Sequence, residues 1–126
     1  MKSFSLVVLL SLVCCTALGQ ESVEVNPDSM RTIKNAVYGR IEGRELKLDL
    51  AWPAGKSETP RPVVVWVHGG AWRGGGKGNP PTRFLLQYGF ATTSVEYRLT
   101  GEAIWPAQIH DCKAAIRFLK ANAKSY

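Results

Sequence analysis

VVVWVHGGAWRGGGKG, Val63 to Gly78, is the stretch on which the fold turns. An apolar run, Val63 to Val67, leads straight into His68, two glycines, Ala71 and Trp72. More glycines follow, with Arg73 and Lys77 among them. β-Branched residues with no polar alternation predict a strand covered on both faces, as in the sheet of an α/β protein. Glycines placed directly after such a strand leave main-chain amides open to close approach. Two kinds of site use a loop of that sort: one holds a phosphate, the other stabilises an oxyanion.

The phosphate reading fails on spacing. A phosphate loop requires G-x-x-x-x-G-K-[ST] between a strand and a helix. Gly76-Lys77 would need glycine at position 71 and a hydroxyl at 78, where the chain has Ala71 and Gly78. Counted from Gly70, Gly75 fits, but Gly76 stands in the place of the lysine. Gly55-Lys56-Ser57 fails because Leu50 occupies the first glycine position, and no G-x-G-x-x-G occurs. The oxyanion reading meets no such conflict. Rigid backbone N–H groups stabilise charge developing on a carbonyl oxygen, each donor being worth roughly 3–4 kcal/mol of barrier.

The flanking segments predict an α/β order. Ala36–Ile41 reads as a strand and Glu42-Gly43 as a turn. Glu45–Trp52 alternates strictly, with Leu46, Leu48, Leu50 and Trp52 on one face and Glu45, Lys47 and Asp49 on the other. The two therefore form an antiparallel hairpin with one buried face. Pro53–Pro62 is a proline-rich loop, and Val63–Val67 is the third strand. A helix is expected from Asn79-Pro80-Pro81 to Gly89, then a strand over Phe90–Tyr97, then a longer helix opened by Pro106. In that second helix Ile109, Cys112, Ile116 and Leu119 recur at helical spacing as an apolar stripe.

The 126 residues suit one domain. The first nineteen read as an export leader: Lys2, an apolar run from Phe4 to Val13, and Ala17-Leu18-Gly19 ahead of a cut before Gln20. The expected location is therefore secreted or periplasmic. The apolar run is too short for a spanning helix, so no stable membrane insertion is expected. Cys14 and Cys15 raise a lipid anchor as an alternative, although Val13 and Cys14 fit a lipobox badly. Residues 20–35 read as an N-terminal extension ahead of the domain at 36–126. Beyond the leader only Cys112 remains, so no internal disulfide is available. The net charge of +6 comes from scattered bases rather than a cluster, so no nucleic-acid partner is expected. Two histidines and one mature cysteine assemble no zinc set, and no metal or cofactor is expected.

Three blocks carry a family likeness. His68-Gly69-Gly70-Ala71-Trp72 is followed by Val95-Glu96-Tyr97-Arg98-Leu99, and then by Trp105-Pro106-Ala107 leading to Asp111-Cys112-Lys113-Ala114-Ala115-Ile116-Arg117. In that order they resemble the N-terminal portion of an α/β-hydrolase of the esterase/lipase type. The likeness is nearest to the hormone-sensitive-lipase-like and feruloyl or acetylxylan-esterase-like branch. The resemblance implies an incomplete α/β-hydrolase fold and acyl transfer through a serine ester. Gly70 and Ala71 would be the amide donors, with Gly69 shaping the turn. His68 would brace the loop rather than move protons, and Trp72 would line the acyl or alcohol pocket. A structural ion pair between Asp111 and Arg98 is also expected.

The chain departs from the family in one respect. The nucleophile belongs in G-x-S-x-G, and none of Ser22, Ser29, Ser57, Ser94 and Ser125 stands in that pattern. No triad residue is assigned here, and the nucleophile is expected beyond Tyr126. A small-molecule or carbohydrate ester is the expected substrate of the parent protein. The alternatives are a serine peptidase of the same fold and a non-enzymatic carbohydrate-binding domain using Trp52, Trp66, Trp72 and Trp105.

Overall fold

The computed structural model describes residues 29–125. The leader, its cut after Gly19, and Cys14 and Cys15 lie outside them. The described chain runs β1 (Met30–Ile41), β2 (Arg44–Pro53), β3 (Val63–Val67), a 3-10 helix (Pro81–Tyr88), β4 (Ala91–Val95) and α1 (Ala107–Ala121). The strands form a mixed sheet in the order β1-β2-β4-β3. β1 and β2 pair antiparallel, as do β2 and β4, while β3 and β4 run parallel.

The hairpin follows the alternation in β2. Leu46, Leu48 and Leu50 are buried and meet Tyr38, Val95, Ala115 and Leu119 in a core between the sheet and α1. Burying each of these large side chains stabilises the fold by roughly 1.5–3 kcal/mol. β1 starts at Met30, inside the stretch expected to be an extension, and pairs as far as Met30 opposite Pro53. Two irregularities, between Ile33 and Ala36 and between Val37 and Gly39, break its period of two. The alternation that marks a strand is therefore lost from this segment's sequence. Asn35 sits in the first irregularity at φ 58°, and its N–H donates to Asp49 Oδ1 at 2.8 Å.

β3 is not covered on both faces as its composition predicts: it is an edge strand among the described residues, and Val63 and Val67 are 45% and 44% exposed. The strand buried throughout is β4, between β2 and β3, although its sequence is the small and polar ATTSV. Two of its three hydroxyls are engaged: Thr93 Oγ1 donates to Asp49 O at 2.8 Å and Ser94 Oγ to Lys77 O at 2.5 Å. The expected strand at 90–97 thus occurs in shortened form.

The helix expected before Gly89 winds as a 3-10 helix, closed by Gly89 in the left-handed conformation. The helix opened by Pro106 is α1, and its buried face matches the apolar stripe only in part. Leu119 of the stripe faces inward, with Gln108, Asp111 and Ala115. Ile109 and Ile116 are exposed and Cys112 is half-buried. Asp111 on the inner face is paired with Arg98.

Candidate active site

β3 ends at Val67 and delivers His68 into a buried slot, 5% exposed. The imidazole stacks on the Tyr97 ring, with centroids 4.3 Å apart and planes 11° apart. Tyr97 Oη donates to His68 O at 2.9 Å, so one side chain fixes both the ring and the backbone of His68. Burial pushes the Tyr97 hydroxyl above its ordinary range and keeps it a donor. His68 Nδ1 lies 2.9 Å from Gly69 O. A carbonyl only accepts, so this contact calls for the proton on Nδ1. Gly75 lies against the Nδ1 edge of the ring, where a Cβ would run into His68 Nδ1 and Gly69 O.

Beyond His68 the chain turns back in an unusual conformation. Gly70, Ala71 and Trp72 have φ of 114°, 50° and 59°. Arg73 N–H donates to Gly70 O at 2.9 Å and Gly74 N–H to the same oxygen at 3.2 Å. The result is a tight turn with both central residues left-handed, of the kind that Ala and Trp adopt only when the surroundings impose it. A Cβ on Gly70 would strike the backbone of Gly74, so the tight reversal requires glycine there. Gly69, Gly70, Ala71 and Trp72 are all exposed. Among the described residues their main-chain amides donate to no acceptor.

The other two sequence blocks brace this turn. Thr100 N–H donates to Trp72 O at 2.8 Å. Asp111, 1% exposed, accepts three bonds from Arg98: from N at 3.0 Å and Nε at 2.9 Å on Oδ2, and from the guanidinium at 2.8 Å on Oδ1. The carboxylate in turn holds the Arg98 guanidinium above its ordinary pKa. Tyr38 Oη donates to Glu96 O at 2.5 Å, and Arg44 pairs with Glu96 at 3.3 Å and Glu102 at 2.9 Å. Residues 96–102 are thus tied to β1, β2 and α1, and they pass that rigidity to the turn through Tyr97 and Thr100.

All five residues expected at the site therefore come together after β3. Trp72 is exposed and packs edge-on against Trp105, with centroids 6.2 Å apart. His110 is exposed on α1. Ser94 is buried in β4 with its hydroxyl already engaged. Sequence reasoning missed Asp49, Lys77 and Thr100. Lys77 had been weighed only as a phosphate-loop lysine, yet it forms a 2.8 Å ion pair with Asp49. Among the described residues no three His, Cys, Asp or Glu side chains gather where a metal could be held, and no helix is long and apolar enough to cross a membrane.

A cleft of about 540 Å³ lies elsewhere. Leu50, Trp52, Val63, Ala91 and Leu119 help to line it, at the N-terminal ends of β3 and β4. Ligands of open α/β sheets bind at the carboxyl ends of the strands, where residues 68–72 stand.

Comparison with known proteins identifies the family. Residues 48–126 match the family model described as BD-FAE. The chain is 34% identical over 89 residues to Esterase LipQ of Mycobacterium tuberculosis, covering 67% of this chain and 21% of that protein. It superposes on an inhibited esterase B from Lactobacillus rhamnosis with a TM-score of 0.64 at 26% identity, covering 79% of this chain and 33% of that one. A truncated carbohydrate esterase from gut microbiota gives a TM-score of 0.60 at 32% identity, over 80% of this chain and 37% of the other.

Proposed function

Because the chain belongs to the α/β-hydrolase esterases, in the family described as BD-FAE, we propose that residues 69–71 form the anion-stabilising half of a carboxylic ester hydrolase site. The observation that carries this reading is the left-handed turn at Gly70–Trp72 with its unengaged amides, braced through Tyr97, Thr100 and the Arg98–Asp111 pair. Gly70 and Ala71 donate to the oxyanion, and Gly69 shapes the approach. Preorganised donors of this kind act where charge develops and need no reorganisation during the reaction. His68 is a brace, since its ring is packed against Tyr97 and Gly75.

The attacking group in this reading is a serine in G-x-S-x-G, a pattern in which none of Ser22, Ser29, Ser57, Ser94 and Ser125 stands; Ser94 is moreover engaged inside β4. Trp72 and Trp105 flank the turn with exposed aromatic surface, which suits the acyl or alcohol side of the ester. A carbohydrate ester is one such substrate, as the likeness to a carbohydrate esterase supports. Export through a leader cut after Gly19 completes the reading.

The test is kinetic. In the protein that the gene encodes, assayed on p-nitrophenyl acetate, Gly70→Ala keeps its amide but its Cβ strikes Gly74 and displaces the donors; kcat should fall by about 10²–10³ with KM little changed, and the thermal midpoint measured alongside separates lost fold from a misplaced donor. Undiminished kcat in that variant, or a coding sequence lacking G-x-S-x-G after Tyr126, would remove the reading.

A further inference from the structure

Asp49 and Ser94 face one another across β2 and β4, and both reach the same residue. Lys77 Nζ lies 2.8 Å from Asp49 Oδ1, and Lys77 O accepts from Ser94 Oγ at 2.5 Å. A cross-strand pair thus grips Lys77 at two points, side chain and main chain. The grip is sheltered: the Lys77 and Asp49 side chains are 15% and 24% exposed. Asp49 is itself oriented, since Oδ1 also accepts from Asn35 N–H and its carbonyl accepts from Thr93 Oγ1.

Lys77 closes the segment that folds back on the turn. Gly74 N–H reaches Gly70 O, and Gly75 lies against the His68 ring and Gly69 O with no room for a Cβ. His68 is therefore clamped from two sides, by Tyr97 from the segment after β4 and by Gly75 from the segment ending at Lys77. Fixing one end of a loop whose other end is a strand removes most of its freedom.

We propose that Lys77 is a positioning residue: held by Asp49 and Ser94, it keeps Gly75 against His68 and so maintains the left-handed turn that presents the amides of residues 69–71. The proposal rests on the reading of that turn as an oxyanion site, but its structural content can be measured without any ester. A long aliphatic stem with a terminal cation suits the task, because the residue must cross from the loop to β2 while its carbonyl stays on Ser94.

The experiment is amide hydrogen exchange on the full chain, comparing wild type with Lys77→Met, Lys77→Arg and Asp49→Asn. Lys77→Met and Asp49→Asn should speed exchange at Arg73 and Gly74, whose amides are bonded to Gly70 O, by about five- to tenfold, as expected for loss of one sheltered charged contact. Amides of β2 and β4 should keep their protection, and Lys77→Arg should restore most of that at Arg73 and Gly74. Unchanged exchange at Arg73 and Gly74 in Lys77→Met would overturn the proposal. Equal acceleration across the sheet would overturn it too, since the pair would then hold the fold rather than the turn. If the turn responds as stated while Gly70→Ala leaves ester hydrolysis intact, the positioning role stands and the oxyanion reading falls.

Discussion

Tyr97 holds His68 twice, stacking on its imidazole at 4.3 Å and donating its hydroxyl to the carbonyl of the same residue at 2.9 Å. Tyr97→Phe keeps the stack and deletes the bond. It leaves the His68 carbonyl without that donor, at a cost of about 1–3 kcal/mol. The expected outcome is a lower urea midpoint with an unchanged slope, together with faster exchange at Arg73 and Gly74, whose amides are bonded to Gly70 O. An unchanged midpoint would show that the stack alone holds the residue.

The Arg98–Asp111 pair predicts a larger loss. Asp111→Ala leaves a guanidinium in a mostly buried setting without its carboxylate, and also orphans Arg98 N–H. Breaking such a pair costs about 3–5 kcal/mol, whereas replacing both partners by apolar residues of similar size costs far less. Thermal melts should therefore rank wild type, then Arg98→Met with Asp111→Leu, then Asp111→Ala. A single variant as stable as the double one would show that the pair contributes nothing beyond packing.

Glycine substitutions should divide by position. A Cβ at Gly69 meets nothing, so Gly69→Ala is expected to fold like wild type. Gly75 has φ of 96° and its Cβ would collide with His68 and Gly69 O. Gly75→Ala should cost more than about 2 kcal/mol, from strain and displaced packing together. Chemical denaturation of the two variants side by side provides the comparison, and equal midpoints would contradict the close approach.

Alkaline stability follows from Tyr38. Burial, aided by nearby Asp111, pushes its hydroxyl well above the ordinary 10.0. The unfolded chain therefore gives up this proton at lower pH than the folded one. The stabilisation is complete below about pH 10 and declines as pH rises beyond it. Tyr97 is shifted in the same direction by burial. Denaturation midpoints should be flat to about pH 9 and fall above 10, and Tyr38→Phe should flatten the fall. An identical slope in Tyr38→Phe would assign the decline to other groups.

Much of this site could be read before any coordinates, because its chemistry is local in sequence. HGGAW follows a β-branched run, and the turn, the buried His68 and the exposed Trp72 lie within five residues. The Arg98–Asp111 pair matches the structural ion pair expected for an acidic residue early in its helix. What escaped depends on distance or competition. Lys77 and Asp49 are 28 positions apart, and nothing local to either indicates the other. Ile109 and Ile116 follow the helical period yet stay exposed, because Asp111 and Gln108 claim the inner face. Val63–Val67 has the composition of a central strand, but composition does not say how many neighbours a strand has. Pattern reveals which residues avoid water; pairing depends on partners elsewhere in the chain.

The strand that ends in the amide turn is also the one with a vacant hydrogen-bonding flank among the described residues. Any strand that docks on that flank lands about 4.8 Å away, in steps of about 3.3 Å along its length. The separation between an attacking hydroxyl at its tip and the waiting amides is then counted in whole residues. A slip of one position would reverse the direction of the hydroxyl's side chain as well as moving it. In such an arrangement the pleat of the sheet is the gauge that spaces nucleophile from anion hole.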